Sequence, residues 1–221
     1  MAGIIPRRST RAFRATISFL LAVLMVLPGG TAWAAPVGGR VTSGSGTISN
    51  PSTTHTLIAQ KTQRLALDWQ SFDIAAAERV QFAQPNSSAV ALNRILDGKA
   101  SQIFGQLDAN GRVILQNSHG ILFGRTARID TGSLIATSLN VDLAAFERGD
   151  AVLVLAEDAA AAGQIINQGV INAASGGSVA LIGGAVNNEG LITARLGRVD
   201  LAAGSGAVLT FDEDNMIGVR V

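Results

Sequence analysis

Asn167-Gln168-Gly169-Val170-Ile171-Asn172-Ala173 returns as Asn188-Glu189-Gly190-Leu191-Ile192-Thr193-Ala194, a spacing of 21, and Gly177-Ser178-Val179-Ala180-Leu181 returns as Gly197-Arg198-Val199-Asp200-Leu201, a spacing of 20. Upstream, Gly111-Arg112-Val113-Ile114-Leu115 and Gly132-Ser133-Leu134-Ile135-Ala136 repeat the Gly-x-apolar-x-apolar pattern, again at a spacing of 21. Short Val/Ile/Leu runs bounded by Gly or Asn read as short strands between turns. A strand of that length cannot bury a face alone, so a period near 20 predicts coils stacked around a shared core. The expected fold is all-β, a single-stranded parallel β-helix, or solenoid, of about 20-residue coils. On the two-residue side-chain period, Val199 and Leu201 point inward while Arg198 and Asp200 face solvent. Asn167 and Asn188 then stack and can share a hydrogen bond in a ladder. The competing arrangement is a β-sandwich in which the Asn-Gly pairs mark unrelated turns.

The rest of the chain fits stacked strands. Of 221 residues, 48% are hydrophobic and 15% charged, Gly numbers 25, Pro 5, and Cys and Tyr are absent. That composition is too apolar for disorder and excludes disulfide scaffolds, zinc-thiolate sites, iron–sulfur clusters and thiol nucleophiles. Helical periodicity is scarce; Ala75–Glu78 and Leu143–Arg148 are the best helix candidates, both short.

Residues 1–34 read as a signal peptide: Arg7, Arg8, Arg11 and Arg14, the apolar run Ile17 to Leu27, then Ala32-Trp33-Ala34 as the small-x-small end. Cleavage is expected after Ala34, since one residue later would place bulky Trp33 at the third position. The apolar run from Ile17 to Leu27 falls well short of the roughly 20 residues a membrane-spanning helix needs. Ser9-Thr10-Arg11 is a poor continuation of a twin-arginine pair, so ordinary Sec export is expected. The leader holds four Arg and no acid, so the formal net charge of +1 becomes −3 once it is removed, a balance that gives no case for nucleic acid. At about 20 residues and 4.8 Å per coil, the part after Ala34 would make roughly nine coils, a rod on the order of 45 Å long.

A solenoid has two open ends that must be covered. The Gly/Ser/Thr-rich start, from Ala35 to about Pro51, resembles a linker in composition but could supply a strand over the first coil. The other end, Val208–Phe211, then Asp212-Glu213-Asp214-Asn215 and Met216–Val221, shows no evident cap and reads as a domain, 35–221, truncated from a longer rod.

Trp69-Gln70-Ser71-Phe72-Asp73-Ile74, Val80 to Arg94, Ser101 to Gly111, and Val113-Ile114-Leu115-Gln116-Asn117-Ser118-His119-Gly120-Ile121-Leu122-Phe123-Gly124 form a dense ordered string. It resembles the N-terminal secretion domain of the filamentous haemagglutinin family, the exported partner of two-partner secretion systems. The resemblance runs from about Trp69 to Ser138 and resumes from Gly163 to Phe211. It implies a right-handed parallel β-helix, delivered by the Sec export machinery and recognised in the periplasm by an outer-membrane β-barrel transporter through that barrel's periplasmic domains. Folding at the cell surface would help draw the chain outward, and a chain without Cys forms no disulfide loop that a narrow barrel could not thread.

The resemblance places recognition on Asn86–Asn93 and Asn117–Gly124, with Asn86, Asn93, Asn117, His119, Gly120 and Ile121 as candidate residues. The family usually has Asn-Pro-Asn-Gly before Ile-Leu-Phe-Gly, whereas this chain has Asn117-Ser118-His119-Gly120. Ser118 and His119 specify the turn less firmly, and Asn117 with Gly120 is expected to preserve it. A purely structural turn is the alternative.

No catalytic residue, metal site or cofactor is expected. His55 and His119 lack ligand spacing, no Gly-x-Ser-x-Gly elbow occurs, and Gly44-Ser45-Gly46 and Gly204-Ser205-Gly206 are too short for nucleotide loops. Asp73, Asp108, Asp130 and Asp200 fall in different repeats, and the acidic run at 212–214 lacks the alternation of a Ca²⁺ loop. The expected function is that of a secreted, non-enzymatic exoprotein domain, exported as part of a haemagglutinin- or adhesin-like protein that contacts a host-cell or surface ligand. A β-helical carbohydrate-active enzyme and a free-standing adhesin fragment are the alternatives.

Overall fold

A computed structural model describes residues 35–156, 163–211 and 217–221. The leader, its cleavage point and the acidic run Asp212-Glu213-Asp214-Asn215 lie outside them.

The short runs stack as a parallel β-solenoid with three faces. The first holds Arg64–Trp69, Val90–Ile95, Arg112–Asn117, Ser133–Thr137, Val179–Gly183 and Val199–Ala203; the second Ser101–Ile103, Gly120–Phe123, Gln164–Asn167 and Ala185–Asn188; the third His55–Gln60, Arg79–Ala83, Gln106–Ala109, Arg128–Thr131, Val170–Ala173 and Leu191–Ala194. Leu65, Ala91, Val113, Leu134, Val179 and Val199 lie in register, so the spacing from coil to coil runs 26, 22, 21, 45 and 20. Six rungs form rather than nine, spanning about 25 Å at the usual strand spacing.

Three segments account for the difference, the last being the end strands Gly206–Phe211 and Ile217–Arg220, which join an antiparallel sheet instead of a coil. Arg40–Ser43 and Gly46–Ser52 lie antiparallel over the first coil, against Arg64–Trp69 and His55–Gln60, so the Gly/Ser/Thr-rich start is a cap. The long coil between Leu134 and Val179 carries an excursion from the corner after Thr137: strand Asn140–Val141, helix Leu143–Arg148 and strand Val152–Ala156. That helix is one of the two expected, capped by Asp142, whose side chain accepts the Ala145 N–H, and by Gly149. Ala75–Glu78 is a turn.

The repeat register is as the sequence spacing implies. Asn167 pairs with Asn188 across adjacent rungs and donates from Nδ2 to its Oδ1 at 2.7 Å. Gly111, Gly132, Gly177 and Gly197 stack at the corner entering the first face, where a Cβ on each of the last three would collide with the carbonyl oxygen of the glycine before it. This corner closes only without side chains.

The core contains Leu65, Val113, Leu134 and Val179 from the first face, Ile121, Phe123 and Ile165 from the second, and Val80, Leu107, Ile129 and Ile171 from the third. The first face is apolar on its other side too. Ala66, Leu92, Ile114, Ile135 and Ala180 pack beneath an antiparallel sheet of Asn140–Val141, Val152–Ala156, Gly206–Phe211 and Ile217–Arg220. Two cations pin this outer sheet and its helix: the Arg64 guanidinium lies 5.5 Å from the Phe146 ring centre and that of Arg112 lies 5.6 Å from Phe211. Asp200 therefore stands half-buried on the outer-sheet side rather than in open solvent. Val199 and Leu201, the register partners of buried Val179 and Leu181, are 43% and 50% exposed because no further rung covers theirs.

Candidate functional site

The two candidate stretches fall at opposite ends of first-face strands. Asn86 lies on the exposed turn that enters Val90–Ile95; its Oδ1 accepts the Ser88 backbone N–H at 3.0 Å and Oγ–H at 2.8 Å, while its Nδ2 donates to Gln63 Oε1 at 3.0 Å. Further along the same segment, Asn93 has no exposed surface. It occupies a core column between Leu67 and Leu115. A polar group there needs partners. Its Oδ1 accepts the Trp69 Nε1–H at 3.0 Å and its Nδ2 donates to the carbonyls of Ala91 and Ile114 at 3.3 and 3.2 Å.

Asn117 ends the next first-face strand and is also fully buried. Its Nδ2 donates to the Lys99 carbonyl and to Ser101 Oγ, each at 2.9 Å, and its Oδ1 accepts the His119 N–H at 3.0 Å. Gly120 follows with φ +104°, a conformation side-chain-bearing residues rarely adopt, and a Cβ there would strike the Gln164 carbonyl. The Ser118 carbonyl accepts the Gly163 N–H at 2.8 Å, tying the turn to the next coil. Asn117 and Gly120 therefore set this turn without proline, and Ile121 passes into the core at 1% exposure. His119 projects outward with Ser118 Oγ 3.3 Å from its Nδ1.

Of the six candidates, only Asn86 and His119 are exposed; Asn93, Asn117, Gly120 and Ile121 are buried. Their side chains do not converge on one concave surface. Sequence spacing misses a cleft of about 530 Å³ beside Lys99, lined by Asp73, Ala75, Asp97, Lys99, Gln102, Phe104 and Thr126. Asp73 Oδ1 accepts the Gln102 N–H at 2.6 Å and, with the Ile74 bridge to Ile103, closes the edge of the second face. Burial pushes the Asp73 carboxyl above its ordinary range, aided by the Asp97 charge and opposed by the Gln102 hydrogen bond.

The structure brings Asp108 and Asp130 together as register partners on the third face. Arg79 bonds to Asp108, and Asn172 Nδ2 donates to Asp130 at 2.9 Å. They stand on an open sheet face, and Asp73 and Asp200 lie elsewhere. Among the described residues, no group of three His, Cys, Asp or Glu could hold a metal ion. No described helix is long and apolar enough to cross a membrane.

The profile of the TPS secretion domain family matches residues 32–216. The chain is 35% identical over 187 residues to a heme/hemopexin-binding protein of Haemophilus influenzae strain Rd, covering 82% of this chain and 20% of that protein. A second heme/hemopexin-binding protein of Haemophilus influenzae is 40% identical over 99 residues, 45% of this chain and 11% of its own length. The crystal structure of the HMW1 secretion domain from Haemophilus influenzae superposes with a TM-score of 0.77 at 30% identity, over 84% of this chain and 48% of that one. The chain thus spans about a fifth of the longer-matched curated relative.

Proposed function

Because the chain belongs to the TPS secretion domain family, we propose that it is the export-targeting domain of a larger haemagglutinin- or adhesin-like exoprotein, recognised by an outer-membrane β-barrel transporter through periplasmic domains. Residues 1–34 act as a Sec signal cleaved after Ala34, and residues 35–221 form the domain that is read and exported. The observation that carries this function is the family match across the whole solenoid, with the fold shared at a TM-score of 0.77.

Burial divides the recognition residues by folding state. Asn93, Asn117, Gly120 and Ile121 have no surface to offer once the coils close. Any contact they make with the transporter belongs to the extended chain, before these hydrogen bonds form. Asn86 and His119 remain accessible afterwards. Folding outside the cell thereby withdraws most of the recognition set and favours release.

The domain itself is non-enzymatic. Asp108 and Asp130 are adjacent but already bonded on an open face, which supports a structural role over catalysis. Turnover of anionic polysaccharides, detected as new reducing or unsaturated ends, would revive the enzyme alternative. The haem and hemopexin binding in the relatives' names belongs, in this view, to portions this chain does not span.

Co-expression with the cognate transporter tests the function: the wild-type chain should reach the medium, and Asn117→Ala with Gly120→Ala should remain in the periplasm. His119→Ala, at an exposed position, separates contact from folding. Secretion of the double variant at the wild-type level would remove this turn from recognition, and transporter-independent release of the wild type would overturn the function itself.

A further inference from the structure

We propose that Asn110-Gly111 is a spontaneous modification site gated by folding: in the extended chain it loses ammonia and becomes aspartate or isoaspartate, and closure of the glycine corner stops the reaction. Asn110 is the one asparagine in the chain directly followed by glycine. The reaction needs the backbone nitrogen of the next residue to reach the asparagine Cγ, and glycine leaves that nitrogen unshielded and its backbone angles free. The Gly111 nitrogen gives its proton to a base in water and bonds to Asn110 Cγ; the Cγ–Nδ2 bond breaks, and ammonia leaves with a proton returned from water. Water then opens the resulting cyclic imide at either carbonyl. Opening at Cγ gives aspartate, and opening at the main-chain carbonyl gives isoaspartate, with the chain rerouted through Cγ. One water enters, one ammonia leaves and no electrons change hands.

Asn110 is exposed, so solvent access alone would leave the pair open to reaction in the fold. Its carboxamide is instead pinned to the Gln84 backbone: Oδ1 accepts the Gln84 N–H at 2.7 Å and Nδ2 donates to the Gln84 carbonyl at 2.9 Å. The attacking group is held as well, because the Gly111 N–H donates to Gln84 Oε1 at 2.9 Å. Gln84 is itself buried, and its Nε2 donates to Gln60 Oε1 and to the carbonyls of Ala89 and Arg112 at 3.0, 3.1 and 3.2 Å. Nucleophile and electrophile are thus tied to separate atoms of one buried residue, and neither can turn toward the other until the corner opens. The corner also retains the reactive glycine, since a Cβ at 111 would lie 2.7 Å from the Ala89 carbonyl oxygen.

Asp97-Gly98 supplies the contrast. Its aspartate forms the same imide by losing water, but Gly98 is exposed with open space around it, so folding places no such clamp on this pair. At 110, either product undoes the clamp. Aspartate sets a carboxylate against the Gln84 carbonyl where an N–H donor stood, and isoaspartate lengthens the main chain at a corner too tight for a Cβ. A chain modified before folding therefore closes this corner poorly, whereas a folded chain keeps its asparagine.

The purified full chain is to be incubated at neutral pH and body temperature, folded in one arm and in guanidinium above its unfolding midpoint in the other. Trypsin cuts after Lys99 and Arg112, so the peptide Ala100 to Arg112 carries Asn110 as its only asparagine. The mass gain of amide-to-acid exchange and electron-transfer fragmentation report conversion, with a zero-time sample correcting for digestion. Asn110 should convert in guanidinium and be slower by about tenfold or more in the folded chain, where local opening limits the reaction. Isoaspartate at Asp97, read on the peptide Ile95 to Lys99, should form at similar rates in both arms. Gln84→Ala should speed conversion in the folded chain several-fold, and the wild-type comparison decides where that variant fails to fold. Asn110→Asp, which copies one product, should shift the unfolding equilibrium by about tenfold toward the unfolded state. Equal conversion of Asn110 in both arms, equal protection of Asp97, a folded Gln84→Ala that converts no faster, or unchanged stability of Asn110→Asp overturns the proposal.

Discussion

Asn93→Leu would leave the core column between Leu67 and Leu115 uniformly apolar and yet should destabilise the domain. The variant orphans Trp69 Nε1–H, whose residue is 1% exposed. An unsatisfied buried donor costs about 1–3 kcal/mol. The Ala91 and Ile114 carbonyls lose additional donors, each worth about 0.5 kcal/mol where other partners remain. The expected loss is roughly 3 kcal/mol, somewhat over a hundred-fold in the unfolding equilibrium. Trp69→Phe removes the other partner, so the Trp69→Phe, Asn93→Leu pair should lose less than the sum of the single changes, with a coupling of about 1–3 kcal/mol. Urea unfolding of residues 35–221 followed by far-ultraviolet circular dichroism measures all four corners of the cycle; fluorescence is unsuitable because Trp69 is the only Trp after Ala34. A single-variant loss below about 0.5 kcal/mol, or a coupling indistinguishable from zero, would refute the reasoning. Secretion assays on the same variants add a second reading. If Asn93 acts only through folding, export recovers with stability in the double variant; if the transporter reads Asn93 in the extended chain, export stays low.

Three further perturbations test the fold. Gly177→Ala should cost about 1–3 kcal/mol by forcing a Cβ into the Gly132 carbonyl, whereas Gly98→Ala, with open space around it, should leave the urea midpoint nearly unchanged. Arg64→Met should remove about 1–2 kcal/mol by abolishing its contact with the Phe146 ring and its 3.3 Å hydrogen bond to the Phe146 carbonyl, seen as faster amide exchange in Leu143–Arg148 with slower change in the coils. Because the folded Asp73 pKa is raised, protonation favours the native state, and its contribution is full at low pH and lost as pH rises through the folded value. Asp73→Asn should therefore stabilise the domain at pH 7, with the advantage vanishing below about pH 3.9; an advantage independent of pH would contradict the assignment.

Much of the solenoid was legible because its determinants are local and repeated. Asn167 and Asn188 recur at the spacing of one coil, and the recurring glycines at 111, 132, 177 and 197 mark a corner too narrow for a Cβ. Such regularities survive in one dimension. The coil count did not, because the cap at 40–52, the excursion at 138–156 and the end strands at 206–211 and 217–220 use the same Gly-rich and Val/Leu-rich vocabulary as the coils. Strand alternation placed Val199 and Leu201 inward, but it could not reveal that a second sheet covers the outer side of the first face. The runs Val113-Ile114-Leu115 and Val179-Ala180-Leu181-Ile182, apolar at every position, are the trace that double burial left in the sequence.

The candidate site divides along the same line. By itself the sequence determined the coil period, the ordered family string and the six residues worth weighing, since each depends on residue identity and spacing along the chain. Only the tertiary structure decided what those residues can touch. Asn93 and Asn86 are near neighbours in the chain and chemically identical, yet one is enclosed by Trp69 and strand carbonyls and the other stands in solvent. Which neighbours surround a side chain is set by stacking between coils, and a linear spacing does not contain that information until the register is built.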